Sequence, residues 1–258
     1  MRILTARAAG WIVGAVAGLA LAGPALAAGE AVAPISRSWP TDGPFGSFDR
    51  ASAQRGLQVY REVCQACHGV KYLAFRNLEA LDFAPDQVAA IAAEYEIEDG
   101  PNDDGEMFTR PGRPADRKPS PFANDVVARL ANNGALPPDL SLIVKARESG
   151  KSYVYSLLVG YDEPPPGQEV PDGLYYNTYF PGHLIAMAQP LYPDQVSFAD
   201  GTSATVSQMA ADVVHFLEFV AEPSLEERKR TGLRAMLFLV VLAGILYAYK
   251  RRIWSDIH

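Results

Sequence analysis

Hydrophobic positions follow three regimes along this 258-residue chain. Gly10 to Ala22 near the start and Ala235 to Tyr249 near the end are almost continuously apolar. Between them, apolar residues recur at helical spacing in short stretches separated by long runs of Pro, Gly and charge. The clearest periodic stretch is Ser207 to Ala221, which places Met209, Val213, Phe216, Leu217 and Val220 on one helical face before Pro223 stops it. A helix capped by Asp49 or Ser52 and running to Cys64 puts Leu57, Tyr60 and Val63 on one stripe. Pro85 to Tyr95 reads as another helix, with Asp86, Val88, Ile91 and Ala92 in its turns, and Pro121 to Asn133 as a further one ending before Gly134. Tyr153 to Val159 suits a short helix or strand. The remainder reads as loop: an extended lead-in from Ala31 to Phe48, surface loops over Glu94 to Glu106 and Met107 to Pro121, a loop over Asp162 to Gly173, and the aromatic run Tyr175 to Phe180 leading into Pro181-Gly182. Strand signals are few and no internal repeat is present, so the predicted domain is mainly α with long loops. Loops of this length suit a domain whose core includes a large cofactor.

The two apolar ends differ in kind. The first, behind Arg2 and Arg7 and followed by the A-x-A signal Ala25-Leu26-Ala27, has the anatomy of a secretory signal cleaved near Ala28 or Gly29. Pro24 and the small residues argue against a retained anchor. The second is short for a span of about 20 residues, but Gly232, Leu233 and Arg234 before it and the basic run after it extend it by snorkelling. It is apolar all round and ends at Lys250-Arg251-Arg252, which reads as a transmembrane helix with the C-terminus inside. The organisation expected is a signal peptide over 1–28, an exported domain over 29–230, a membrane anchor over 231–250 and a cytoplasmic tail over 251–258. That places a single-pass protein in a bacterial inner (cell) membrane with its bulk on the periplasmic side.

The formal charge is −7, and loss of Arg2 and Arg7 with the leader makes the exported chain two units more negative. Such a balance argues against nucleic acid as a partner and favours a basic protein. The densest patch is Glu94 to Glu106, with seven carboxylates and no base.

The only two cysteines lie in Cys64-Gln65-Ala66-Cys67-His68. This C-x-x-C-H spacing is that of c-type haem attachment, in which each thiol adds across one vinyl group and the adjacent histidine becomes an axial iron ligand. A zinc site would need further ligands, and no third cysteine exists while His183, His215 and His258 are isolated. A thioredoxin-like pair would need a βαβ context. Attachment outside the cytoplasm agrees with the leader.

For the second axial position the residues leave alternatives. Met209 fits the apolar stripe of the last soluble helix. Met107 follows the acidic run. Met187 sits in an apolar segment between Pro181 and Pro190, a setting suited to holding a thioether against a haem face, and His183 in the same segment competes with it.

Three stretches together resemble cytochrome c1, the haem subunit of the ubiquinol–cytochrome c oxidoreductase (cytochrome bc1) complex. They are Arg55-Gly56-Leu57-Gln58-Val59-Tyr60 leading into Cys64, Asn132 to Ser141 (NNGALPPDLS), and Gly182 to Pro190 with Met187. The likeness covers nearly the whole exported chain and its anchor. It implies a class I c-type cytochrome fold and one covalent haem c on Cys64 and Cys67. It also implies iron ligation by His68 and Met187, with Arg147 and Tyr153 near a haem propionate. Some bacterial members carry an extra disulfide, which this chain lacks the cysteines to form. The partners implied are cytochrome b, the Rieske iron–sulfur subunit as electron donor and a soluble cytochrome c as acceptor, within the membrane. Catalysis then belongs to the assembled complex, with its quinone site on another subunit. The rival functions are a free-standing membrane-anchored carrier cytochrome and a haem enzyme or gas sensor with a labile sixth ligand.

Overall fold

The computed structural model describes residues 32–256; the signal segment and its cleavage site lie outside them. Two helices form the centre. α1 (Arg50–Glu62) starts where the Asp49 side chain accepts from Ser52 N at 3.2 Å, and the last soluble helix, α5 (Val206–Ala221), starts where Thr205 does the same for Gln208 N at 3.1 Å. Ser, Thr, Asp and Asn side chains satisfy the otherwise unpaired first N–H groups of a helix. α1 and α5 pack against each other. Gly56 allows this close crossing, because a Cβ there would come within 2.0 Å of the Asp212 carbonyl oxygen. Beside the crossing, Arg55 grips the buried Asp212 carboxylate through Nε at 2.8 Å and Nη2 at 3.1 Å. Met209, Val213, Phe216, Leu217 and Val220 are all buried, as their spacing predicts.

The other helices lie around this pair. α2 (Pro85–Ala93) carries proline in its first turn and packs on a 3₁₀ stretch, Phe75–Leu81, that also touches α1. α3 (Asp125–Ala131) is shorter than its sequence pattern because Asn124 caps it, its side chain accepting from Val127 N at 3.0 Å. α4 (Gly150–Val159) packs on α5, which resolves the helix-or-strand ambiguity at Tyr153 to Val159.

The acidic stretch and the Pro/Arg-rich stretch after it are not simply surface loops. Parts of them form an antiparallel hairpin, β1 (Glu96–Asp99) with β2 (Phe108–Pro111), in which Glu96 faces Pro111 and Asp99 faces Phe108. Asn102 closes the turn by accepting from Asp104 N at 3.0 Å and Glu106 N at 2.9 Å. Cross-strand pairing of Arg110 with Asp99 offsets the crowding of carboxylates. A second, minimal hairpin joins β3 (Tyr175–Tyr176) to β4 (Leu184–Ile185). The lead-in is extended but not peripheral: Trp39 and Phe48 are buried, Thr41 Oγ1 donates to Glu218 at 2.6 Å, and Asp49 N donates to His215 Nε2 at 3.0 Å.

α6 (Leu225–Ile253) begins directly after Pro223-Ser224. It is the one helix among the described residues long and apolar enough to cross a membrane, and none of its apolar window is buried. A soluble core helix would be covered, so that alternative does not describe it. Its first turns are clamped to the domain: Glu226 pairs with Arg50, and the Lys229 ammonium donates to the Thr41, Gly43 and Gly46 carbonyls at 2.6, 2.7 and 3.0 Å.

Candidate functional site

α1 delivers the C-x-x-C-H run. At its end the chain tightens into a 3₁₀ turn, Cys64–Ala66, and both Cys67 N and His68 N donate to the Cys64 carbonyl, at 3.2 and 2.9 Å. Both cysteines are free thiols, Cys64 half-buried and Cys67 exposed. Burial, then the neighbouring Cys67, pushes the Cys64 thiol up to about 12, which favours the neutral thiol.

His68 Nδ1 lies 2.7 Å from the Pro138 carbonyl oxygen. A carbonyl only accepts, so Nδ1 carries the proton and donates, which leaves Nε2 with its lone pair for a metal. Burial lowers the pKa of His68 and favours the neutral ring that ligation needs, though the Pro138 bond works against this. The 132–141 segment that supplies Pro138 is fastened along the residues after the motif. Leu140 N donates to the Gly69 carbonyl at 2.8 Å, Lys71 N to Asp139 Oδ2 at 3.0 Å and Tyr72 N to Ser141 Oγ at 3.1 Å. Its entry turn needs Gly134 at φ 86°, a region costly for other residues. Tyr60 closes the other side, its hydroxyl donating to the His68 carbonyl at 2.8 Å. Two of the three resembling stretches thus meet in space.

Met187 follows β4, half-buried, with its carbonyl accepting from the Tyr161 hydroxyl at 2.9 Å. That bond ties its segment to the residues just after α4; no described hydrogen bond runs from it to the His68 turn. Its rivals are placed elsewhere. Met209 is fully buried between helices, and Met107 is 57% exposed beside β2. His183 is a turn residue at φ 61°, with Nδ1 3.0 Å from the Thr178 carbonyl and its ring stacked on Tyr176. Arg147 is exposed, donating to the Ala146 carbonyl at 3.2 Å. Burial raises the pKa of Tyr153, and the charge of Arg147 partly offsets that, so the two residues lie in one electrostatic neighbourhood. Pro138 as the partner of His68 leaves no signature in the sequence beyond the consecutive prolines 137 and 138.

The donor set fits a covalently held haem: two free thiols on one turn, an imidazole with a fixed tautomer and free Nε2, and a thioether on a separate segment. The match to a family model decides the relationship: residues 39–257 fit the Cytochrome C1 family. The chain belongs to that family. Among cytochrome c1 relatives, the "Cytochrome c1" of Rhodospirillum rubrum is 49% identical over 255 residues, covering 93% of this chain and 94% of the relative. The "Cytochrome b-c1 complex catalytic subunit, mitochondrial" of Candida albicans is 48% identical over 232 residues, 90% of this chain and 81% of the relative. The "Cytochrome b/c1" of Bradyrhizobium diazoefficiens is 49% identical over 247 residues, 87% of this chain; the chain spans only 36% of that relative. Other cytochrome c1 relatives are named as haem proteins. The match begins at Trp39, the first residue of the lead-in that is buried in the core, and runs on through the membrane-length helix.

Proposed function

We propose that this chain is the haem-bearing electron-transfer subunit of a cytochrome bc1 complex. It would take electrons from the Rieske iron–sulfur subunit and pass them to a soluble c-type cytochrome. The observation that supports the reading is the bond from His68 Nδ1, in the C-x-x-C-H turn, to the Pro138 carbonyl, which leaves Nε2 free to hold an iron. Cys64 and Cys67 would hold one haem c through thioethers, and His68 Nε2 and the Met187 thioether would bind its iron. When bound, the haem supplies reversible one-electron chemistry. The chain's own residues do the rest. Pro138 fixes the imidazole, Tyr60 holds the motif backbone, Tyr161 holds the Met187 segment, and Arg147 with Tyr153 would bind a propionate. With His68 and Met187 both holding the iron, no site would be left for substrate, so the subunit would relay electrons while the complex as a whole is the enzyme.

The domain lies on the periplasmic side of a bacterial cell membrane, residues 231–250 span it and 251–258 are cytoplasmic, since Lys250, Arg251 and Arg252 follow the apolar run. The clamp of Lys229 and Glu226 on the lead-in holds the domain against the start of the span, and cytochrome b would be its neighbour in the membrane. The family membership and the relative named for both b and c1 support that neighbour.

The test is purification from detergent-solubilised membranes through a tag on this chain. A b-type cytochrome and an iron–sulfur protein are expected to copurify, and the preparation should reduce a soluble cytochrome c with quinol. A haem-loaded chain that purifies alone and is not reduced by quinol would instead be a free-standing carrier.

A further inference from the structure

Lys118 is the only Lys or Arg among the described residues in the buried class, at 6% exposed. No described carboxylate pairs with it. Its ammonium lies 4.6 Å from the ring centroid of Tyr95 and 5.2 Å from that of Tyr60, an arrangement in which two π faces stand in for a counter-ion. Its backbone N–H donates to the Leu73 carbonyl at 3.0 Å, which fixes the segment. Both rings reach the C-x-x-C-H turn with their hydroxyls: Tyr60 donates to the His68 carbonyl at 2.8 Å and Tyr95 to Gln65 Oε1 at 2.9 Å. A buried cation therefore stands one aromatic ring behind the residues that would carry the haem. Neither the fold nor the attachment chemistry requires a charge there, and an apolar side chain would fill the space at lower desolvation cost.

The charged and titratable groups around this cage leave its charge uncancelled. From α1 and its end come Tyr60, Arg61 and Cys64. Glu94 and Tyr95 come from the end of α2, Asp139 from the segment holding Pro138, and Asp116 and Arg117 from the chain beside Lys118. Glu94 is engaged by Arg61, and Asp116 by Arg110. Asp139 accepts from Lys71 N and Ser141 N. Arg117 lies 6.0 Å from the centroid of Tyr72.

We propose that Lys118 sets the reduction potential of the haem site and couples it to pH, an inference that rests on the haem-bearing role above. A positive charge held in a poorly polarisable surrounding disfavours the oxidised site, which carries one more positive charge than the reduced site. The coupling is reciprocal. When one electron enters from the iron–sulfur donor, the Lys118 amine binds its proton more tightly and takes up a fraction of a proton from solvent. When the electron leaves for the acceptor, that proton returns to solvent. Burial, reinforced by the nearby positive charge of Arg61, pulls the Lys118 amine down to about 8, so the exchange falls in an ordinary pH range. The potential is highest with Lys118 protonated and falls as pH rises through its titration.

The experiment is a redox titration of the purified holoprotein with dithionite and ferricyanide, followed at the haem absorbance from about pH 6 to pH 10, spanning the shifted lysine and its unperturbed range. Wild type is expected to show a potential that declines across the lysine titration. Lys118→Met should give a lower potential without that decline. Lys118→Arg keeps its charge at every pH tested and should give a high potential, also without it. An unaltered haem absorption band in each variant shows that ligation is intact. A flat wild-type profile, or a Met variant that retains the wild-type potential and decline, overturns the inference. Protein that carries no covalent haem would instead overturn the functional reading on which it rests. If the variants do not fold, NMR of wild type labelled at the lysine ε-carbons decides. The resonance shifted by the two tyrosine rings must titrate at a higher pH in reduced than in oxidised protein, and equal titration in both states refutes the coupling.

Discussion

The Nδ1 atom of His68 and the carbonyl oxygen of Pro138, 70 residues apart in sequence, lie 2.7 Å from each other. This bond fixes the ring of the cysteine–histidine motif with Nε2 free, because the tautomer is chosen by a carbonyl that can only accept. Pro138→Gly keeps the carbonyl but frees its backbone. Losing a well-placed hydrogen bond costs about 1 kcal/mol, which in a domain of this size lowers the thermal midpoint by about 2–4 °C. The expected result is an earlier loss of the ligation-sensitive haem absorption on heating, with haem still attached. An unchanged midpoint would mean that packing alone orients the ring.

Met187→Leu removes a thioether while preserving an apolar side chain of similar volume. The haem should stay covalently attached, the reduction potential should fall, and reduced protein should bind carbon monoxide at the opened position. Potentiometry and a carbon monoxide difference spectrum read this directly. If both match wild type, the sixth ligand is Met107 or His183.

The hairpin refines the reading of the acidic stretch. Glu94 and Asp99 are engaged by Arg61 and Arg110, whereas Glu98, Asp103 and Asp104 are in none of the described ion pairs. Neutralising those three together should slow reduction of a basic soluble cytochrome at low ionic strength and flatten its salt dependence. The fields involved are screened over about 8 Å at physiological salt. Stopped-flow rates at low and high salt check this. Rates equal to wild type at both would move the docking surface elsewhere, for example to Asp162, Glu163, Glu169 and Asp172.

Asp116 gives the domain an acid-sensitive fastening. Hydrogen bonds from Arg110, at 2.6 and 3.0 Å, hold its carboxyl down at about 2, with Arg113 N also donating at 2.7 Å. A carboxylate whose pKa is depressed by folding contributes stability above its unfolded value of 3.8, and that contribution is lost as pH falls towards about 2. Hydrogen exchange at the backbone amides of residues 110–117 should therefore accelerate between those values. Asp116→Asn should already exchange faster at neutral pH and show no acid limb. An acid limb that persists in the variant would assign it to other carboxylates.

The helices were legible because burial imposes a period: Met209 to Val220 form one stripe, and Asp49, Pro85 and Pro223 mark boundaries by chemistry that acts within a few residues. The hairpin β1–β2 was not legible. Its strands are four residues each, its carboxylates mask the alternation, and its stabilising pair, Asp99 with Arg110, joins residues that only the turn at Asn102 brings together. The attachment motif was visible as spacing, and Met187 as a methionine between prolines. The Pro138 carbonyl and the aromatic cage of Lys118 were invisible for a common reason: each contact depends on a backbone group or a ring face from a distant segment, and neither leaves a residue-type signature.

Attachment of one haem to Cys64 and Cys67 is read from the mass of the denatured, membrane-purified protein. The expected mass is that of the processed polypeptide plus one haem, retained after acidic organic extraction. Cys64→Ser with Cys67→Ser should abolish the increment. A wild-type mass equal to the polypeptide alone, or a haem removed by extraction, would contradict the attachment.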